Sequence, residues 1–491
     1  MIDYFKNFIK HSMIYSVGNI IHRLGSLMLI PLYTKTLGVE AYGALEMFYV
    51  FSNVLRTFLG LMVAHATLRF YFEYKNEVER KEIISTALIA SLSLSLVGIF
   101  ILWGFLPQLS LLIFKIGGYT DGLKLILFIV LFELMKEIGL AYLRAKEKSL
   151  LYISLAVTQL VTQVGFNLFF VLYLKRGVQG ILTGNLISTI VVWSVIITIT
   201  LKYSGIRFSL TKLRVLLKYC LPFVFSTFSA ILITNADRVI LSNYKTLASV
   251  GIYALSLRFG LIIKEMIVEP FSMNFGQSRF AIMYQENAKE IYAKVMTYFI
   301  VITFYCALWL AIFTKEVLKI ISSEEFFRAG VVIPIILLSV ITVGMNYVLQ
   351  TGILIKKKTK YLFYISICTG ILAVVLNRIM IPIFDAQGAA VANWLVAISS
   401  CVLTFYFSNK IYPVPYDFLR IFKICSIAVI FYFLGASVDK FCYCTLLIII
   451  QLKLLLLISF PFVLYFFGIF EQREKNMIIQ VIKKIRMRIL K

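Results

Sequence analysis

The chain of 491 residues is 60% hydrophobic and only 15% charged, against roughly 45–50% and 25% for a soluble globular protein. Its 49 Lys+Arg against 24 Asp+Glu leave a formal charge of +25, a balance that on a polar chain would point to nucleic acid. A mean hydropathy of +0.90, with 42 Phe and 28 Tyr, excludes both a nucleic-acid binder and a soluble enzyme; most of this chain has lipid as its solvent.

In chain order, apolar runs long enough for the ~20 residues of a membrane crossing fall at 12–31, 42–65, 83–105, 122–143, 149–174, 178–201 and 217–241, then at 249–275, 292–314, 329–355, 361–384, 388–409, 418–437 and 443–470. The expected fold is therefore all-α, a polytopic membrane protein of about fourteen transmembrane helices. The first run is expected to be a retained helix, because no small-residue cleavage site closes it and Arg23 interrupts it. With the N-terminus inside, the inner segments carry 31 Lys+Arg, the outer ones 9 and the helices 9. That is the asymmetry of the positive-inside rule, so both termini are expected in the cytoplasm. In the tail, Ile478, Val481, Ile482, Ile485 and Ile489 alternate with basic residues at helical spacing, which suits a helix lying on an anionic leaflet.

The cysteines and histidines carry no chemistry. Seven Cys is an odd count, most sit in apolar runs, and Cys442 and Cys444 are too closely spaced for a disulfide or zinc site. No pair among His11, His22 and His65 has metal-ligand spacing, and no cofactor is expected.

Internal duplication is visible. KTLGVEAYGAL at 35–45 is echoed by KTLASVGIYAL at 245–255, and Tyr152-Ile153-Ser154 by Tyr364-Ile365-Ser366. Both echoes imply two six-helix repeats of like orientation. The expected organisation is a first lobe at 1–202, a basic linker at 203–216, a second lobe at 217–410, two further helices at 411–470 and a basic tail at 471–491.

Pro31-Leu32-Tyr33-Thr34-Lys35-Thr36-Leu37-Gly38 with Tyr42-Gly43, Asn235-Ala236-Asp237-Arg238 with Val250-Gly251-Ile252-Tyr253-Ala254, and Gln387-Gly388-Ala389-Ala390-Val391-Ala392 resemble the polysaccharide-exporter (Wzx-type, O-antigen flippase) family of the MATE/lipid II flippase superfamily. The resemblance implies two six-helix bundles in a V around a central cavity. It further implies alternating access for a polyprenyl-pyrophosphate-linked glycan in the bacterial cytoplasmic membrane. Other polysaccharide-assembly membrane proteins would be partners, alongside membrane lipids.

Charges inside the apolar runs are the candidate site. Each costs about 2.5–3.5 kcal/mol if it faces lipid, so Arg23, Arg56, Arg258, Lys264 and Arg378 are expected to face a wet cavity or a partner. A guanidinium fork suits pyrophosphate oxygens. In the resembled fold helices 1, 2 and 8 line the central cleft, which favours Arg23, Arg56 and Arg258. Glu265 and Glu269 lie seven and eleven residues after Arg258, on one face of a regular helix. With Asp237 and Glu46 they are the candidate carboxylates for coupling to H+ or Na+, although an internal Arg–Glu ladder fits the same spacing. Arg238, near its helix end, is expected to pair with Asp237 or a loop. Glu133, Lys136 and Glu137 form an i, i+3, i+4 cluster that reads as a salt bridge. Asn19 and Asn53 are candidate polar liners. Pro222, Pro270, Gly25, Gly60 and Gly260 mark bends or close packing.

Three rivals remain. A glycan polymerase would need a large outer loop, but no outer segment exceeds about twenty residues. A multidrug cation exporter would need an acidic cavity, but the runs hold 9 basic and 6 acidic residues. A lipid II flippase is barely separable.

Overall fold

A computed structural model describes Gly25 and residues 28–441 and 445–469, without the side chains of 222–233 and 440–441. The run at 12–31 falls largely outside the described residues, as do Asn19, Arg23 and the basic tail. Among the described residues there is no strand, and ten helices are long and apolar enough to cross a membrane. The helices coincide with the expected runs. Thr120–Ala145 carries Glu133, Lys136 and Glu137 in its middle, and its charge keeps it out of the apolar ten.

Two helices are interrupted by non-glycine residues at positive φ, one directly after Gly60 and the other three residues after Pro382. Val39–Gly60 stops at Leu61 and Met62, both left-handed at φ 43° and 57°, and Val63–Glu73 continues from there. Two consecutive non-glycine residues in that region cost about 1–2 kcal/mol each. Lys360–Ile411 is 52 residues long, roughly 78 Å at 1.5 Å per residue, far more than one bilayer crossing. It bends at Asp385 (φ 57°, ψ −136°), between the expected runs 361–384 and 388–409.

The chain divides into two compact units, one of residues 1–254, 319–327 and 373–389, the other of 255–318, 328–372 and 390–491. In the first unit Thr120–Ala145 packs along Gly177–Ser204, with Gly139 against Ile196 and Thr200. Ile83, Ile84, Ala87, Ile138, Leu143, Val192, Ile196 and Cys220 form a buried cluster beside it. The echoed segments meet within this unit. A Cβ on Gly43 would collide with the Leu247 carbonyl oxygen, and one on Gly251 with the Val39 carbonyl oxygen. Around that crossing, Val39 N–H donates to Glu325 Oε2 at 2.9 Å, Ser249 Oγ–H donates to Asp385 Oδ2 at 2.8 Å, and the Thr34 hydroxyl donates to the Ile321 carbonyl.

In the second unit Ala288–Ile312 packs against Ala329–Leu349, Phe418–Phe441 and Leu446–Phe466. Glycines admit its closest approaches: Gly344 faces the Phe299 ring, Gly435 faces Ile312, and Gly260 faces Ile336. The five described cysteines, Cys220, Cys306, Cys368, Cys401 and Cys425, are all free thiols.

Candidate functional site

Within the first unit, a cavity of about 330 Å³ opens where the Leu61–Met62 break interrupts its helix. Asn53, Arg56, His65, Glu137, Thr234 and Asn235 supply most of its polar lining. A broken helix suits this position, because irregular backbone at membrane depth is tolerated where it lines a water-filled space. Arg56 and Asn53, three residues apart on one helical face, are joined by a 2.7 Å hydrogen bond from Arg56 Nη2 to Asn53 Oδ1. Arg56 Nη1 also pairs with Glu133 Oε2 at 3.2 Å. The guanidinium is anchored on one edge while 38% of the side chain stays exposed.

A second ionic group adjoins through Asn235. Arg238 Nη1 donates to Asn235 Oδ1 at 2.9 Å, and Arg238 Nε lies 3.3 Å from Glu46 Oε1. Tyr253 Oη–H donates to Asp237 Oδ2 at 2.6 Å, both groups being buried. The structure thus brings Glu46, Asp237 and Arg238 into one hydrogen-bonded region and places Asn53 and Arg56 on the wall of the cavity. The Glu133–Lys136–Glu137 cluster separates: Glu133 takes Arg56, Lys136 Nζ donates to Gln159 Oε1 at 2.9 Å, and Glu137 lines the cavity. Arg378 is exposed, with no ion pair among the described residues.

A family model described as "Polysaccharide biosynthesis protein" matches residues 8–274, more than half of the chain. The chain belongs to that family. The capsular polysaccharide biosynthesis protein CapF of Staphylococcus aureus is 21% identical over 315 residues, 62% of this chain and 78% of CapF. An uncharacterized membrane protein of Haemophilus influenzae is 20% identical over 268 residues, 53% of this chain. The match spans 62% of the length of the Haemophilus protein. Among solved structures, the lipid II flippase MurJ in an inward closed conformation superposes with a TM-score of 0.73 at 19% identity, over 92% of this chain and 99% of MurJ. A multidrug resistance MATE transporter of the MOP superfamily, inward-facing, gives 0.63 at 14% identity over 79% of this chain and 94% of its own. The chain therefore has the polytopic MurJ/MATE fold of a membrane protein.

In its second unit four further candidate residues lie along one interrupted helix. Arg258, Lys264, Glu265 and Glu269 are all half-buried, but Lys264–Val268 is a π turn between Leu247–Ile263 and Glu269–Ile282. A π turn closes i→i+5, which brings Lys264 Nζ to 4.0 Å from Glu269 Oε1. On a regular helix residues five apart point well away from each other. The register that would stack Arg258, Glu265 and Glu269 on one face is broken at this turn.

Lys453 is the residue that sequence reasoning passed over. It lies in Leu446–Phe466 with no exposed side-chain surface. Its ammonium donates to Glu316 Oε1 at 2.7 Å and to the Ile312 carbonyl at 3.0 Å, and pairs with Asp439 Oδ1 at 2.7 Å. Three donors meet three acceptors. The signal was available, since Lys453 is the one charge in that helix sequence.

Proposed function

We propose that this protein translocates a polyprenyl-pyrophosphate-linked oligosaccharide repeat unit from the inner to the outer leaflet of the cytoplasmic membrane, by alternating access and at the expense of an H+ or Na+ gradient. The observation that carries the reading is Arg56: a guanidinium at membrane depth, on the wall of a polar cavity, in a chain of the polysaccharide biosynthesis family. One edge of its fork is held by Asn53 and Glu133, and an exposed fork binds phosphate oxygens bidentately at any working pH. Arg23 and Arg258 are the further cationic residues of this reading, with Lys264 and Arg378 as secondary ones. The two repeats are taken as lobes of about six helices, with the last two helices appended.

Glu46 is the preferred coupling group. Its protonation would dissolve the pair with Arg238 (3.3 Å) and alter the hydrogen bonding of Asn235, which lines the cavity. Glu265, Glu269 and Asp237 are the alternatives. The likeness of fold to MurJ makes lipid II the second substrate to be tried.

The test is transport in proteoliposomes. Labelled lipid-linked oligosaccharide and labelled lipid II are presented in parallel, and outer-leaflet appearance is followed with and without a proton or sodium gradient. The reading expects oligosaccharide movement that a gradient accelerates, with loss of at least tenfold in Arg56→Ala. Wild-type rates in Arg56→Ala and in an Arg23→Ala/Arg258→Ala double variant would refute the cationic site, and movement of lipid II alone would refute the substrate.

A further inference from the structure

A second correspondence between the halves appears in the side chains. Lys81-Glu82-Ile83 recurs as Lys289-Glu290-Ile291 at an offset of 208, Lys146 as Lys356 at 210, and Tyr203 as Tyr412 at 209. Within the first unit Lys81 and Lys146 place their Nζ atoms 5.5 and 4.7 Å from the centroid of the Tyr203 ring. Within the second, Lys289 and Lys356 lie 5.2 and 5.9 Å from the Tyr412 ring. Each half has one tyrosine with two lysines gathered on it.

The two copies differ in one respect. In the first, Glu77 accepts hydrogen bonds from Lys146 at 3.1 Å and from Tyr203 Oη at 2.5 Å, so one of the two cations has its own anion. The Lys-Glu-Ile register places Gln285 at that position, and the register of the two helix starts, Glu77 and Ala288, places Ala288 there. Neither is a carboxylate. Glu286 and Glu290 are exposed nearby, yet Lys289 and Lys356 have no ion pair among the described residues. More positive charge surrounds them: Lys357, Lys358 and Lys360 are all exposed. Lys289 is also the second residue of Ala288–Ile312, whose N-cap Asn287 makes no side-chain capping bond, so the helix dipole adds to the field. A cation–π contact holds each lysine in place but does nothing to relieve the repulsion between them. The three parts come from separate elements, for Lys356 caps Thr351–Ile355 and Tyr412 caps Lys360–Ile411.

We propose that Lys289, Lys356 and Tyr412 form a docking site for the headgroup of an anionic phospholipid, whose phosphate takes the place that the Glu77 carboxylate holds in the first half. A tyrosine at the end of a membrane-crossing helix sits at headgroup depth. Basic residues at that depth draw anionic lipid from the leaflet, where phosphate is already concentrated. These segments are also ones that the charge asymmetry assigns to the inner, anionic leaflet. The proposal rests on the membrane fold and not on the transport reading.

The experiment uses the full chain purified in neutral detergent, titrated separately with phosphatidylglycerol, phosphatidylcholine and inorganic phosphate. Bound lipid is counted by native mass spectrometry, and the unfolding temperature is followed in parallel. Phosphatidylglycerol is expected to bind and stabilise, and phosphatidylcholine and inorganic phosphate to do neither. Lys289→Gln/Lys356→Gln should weaken phosphatidylglycerol binding about thirtyfold, roughly fivefold per lysine. Gln285→Glu, which restores an internal anion and removes no lysine, should weaken it about fivefold and keeps the test open if the double variant does not fold. Unchanged binding in these variants overturns the proposal. Equal stabilisation by inorganic phosphate also overturns it, by reducing the site to a general anion site.

Discussion

Replacing Lys453 by methionine removes one charge and keeps most of the side-chain volume. The ammonium it removes contacts Glu316 and Asp439 at 2.7 Å each and the Ile312 carbonyl at 3.0 Å, with no exposure of the side chain. Asp439 keeps Lys315 at 3.4 Å, but Glu316 keeps no cation among the described residues. Removing one partner of a buried pair costs about 3–5 kcal/mol, and the largely exposed Lys315 contact offsets less than about 1 kcal/mol. At about 2–4 °C per kcal/mol for a unit of this size, K453M should unfold on the order of 10 °C below the parent. Tryptophan fluorescence during heating in a fixed detergent measures this. The diagnostic step is the triple variant K453M/E316Q/D439N, in which no buried uncompensated charge remains at this cluster and most of the lost stability returns. A K453M transition within about 2 °C of the parent, or a triple variant no more stable than the single one, would refute the reasoning that places the cost in stranded carboxylates.

Further outcomes follow from the same physics. Glu46→Gln removes the carboxylate of the 3.3 Å pair with Arg238 and should lower the melting temperature; Glu46→Gln/Arg238→Met should recover part of that loss in the same assay, and a purely additive double variant would argue against the pair. Gly43→Val drives a branched side chain into the Leu247 carbonyl, and folded yield by size-exclusion chromatography should collapse, whereas Gly117→Val, with nothing within 4 Å of its Cβ, should be tolerated. Met62→Gly relieves a left-handed backbone at φ 57° and should stabilise by about 1 kcal/mol; a destabilised variant would show that the methionine side chain outweighs the strain. Tyr253→Phe leaves Asp237 Oδ2 without its hydroxyl donor and should cost about 1–3 kcal/mol, measurable as a lowered melting temperature.

The membrane helices were legible because apolar length alone marks a bilayer crossing, although Val39–Glu73 and Leu247–Ile282 run well past the ends of their apolar runs. Arg56 was legible as a residue needing a partner or water because a charge in an apolar run demands one. What it pairs with was not: Glu133 lies on a different helix, and no local spacing announces it. The same holds for Glu46 and Arg238. Gly60 marked a bend or close packing at the Leu61–Met62 break, but nothing in those two residues announces that both take left-handed backbone. The echo between residues 35–45 and 245–255 could be read as duplication, yet nothing in it said that Gly43 and Gly251 would pack against each other's segments. Contact between repeats is a property of the assembled backbone, not of either copy.

The π turn at Lys264–Val268 has a consequence for the gene. It houses five residues in a turn where a regular helix would house about four, so it behaves as an absorbed one-residue insertion. Deleting a single codon between positions 264 and 268 would let the helix run on regularly from Leu247 toward Ile282, with no break in coding frame and no loss of hydrophobic length. Everything beyond the deletion would keep close to its present azimuth, because a regular turn of about four residues replaces the π turn of five, and Glu269 would stand four residues after Lys264 on the same face. A one-residue in-frame deletion at this spot is therefore expected to be better tolerated than the same deletion in the regular helix on either side, where all that follows turns by roughly 100°, and a deletion scan along residues 255–282 should show its smallest loss where the extra residue is stored.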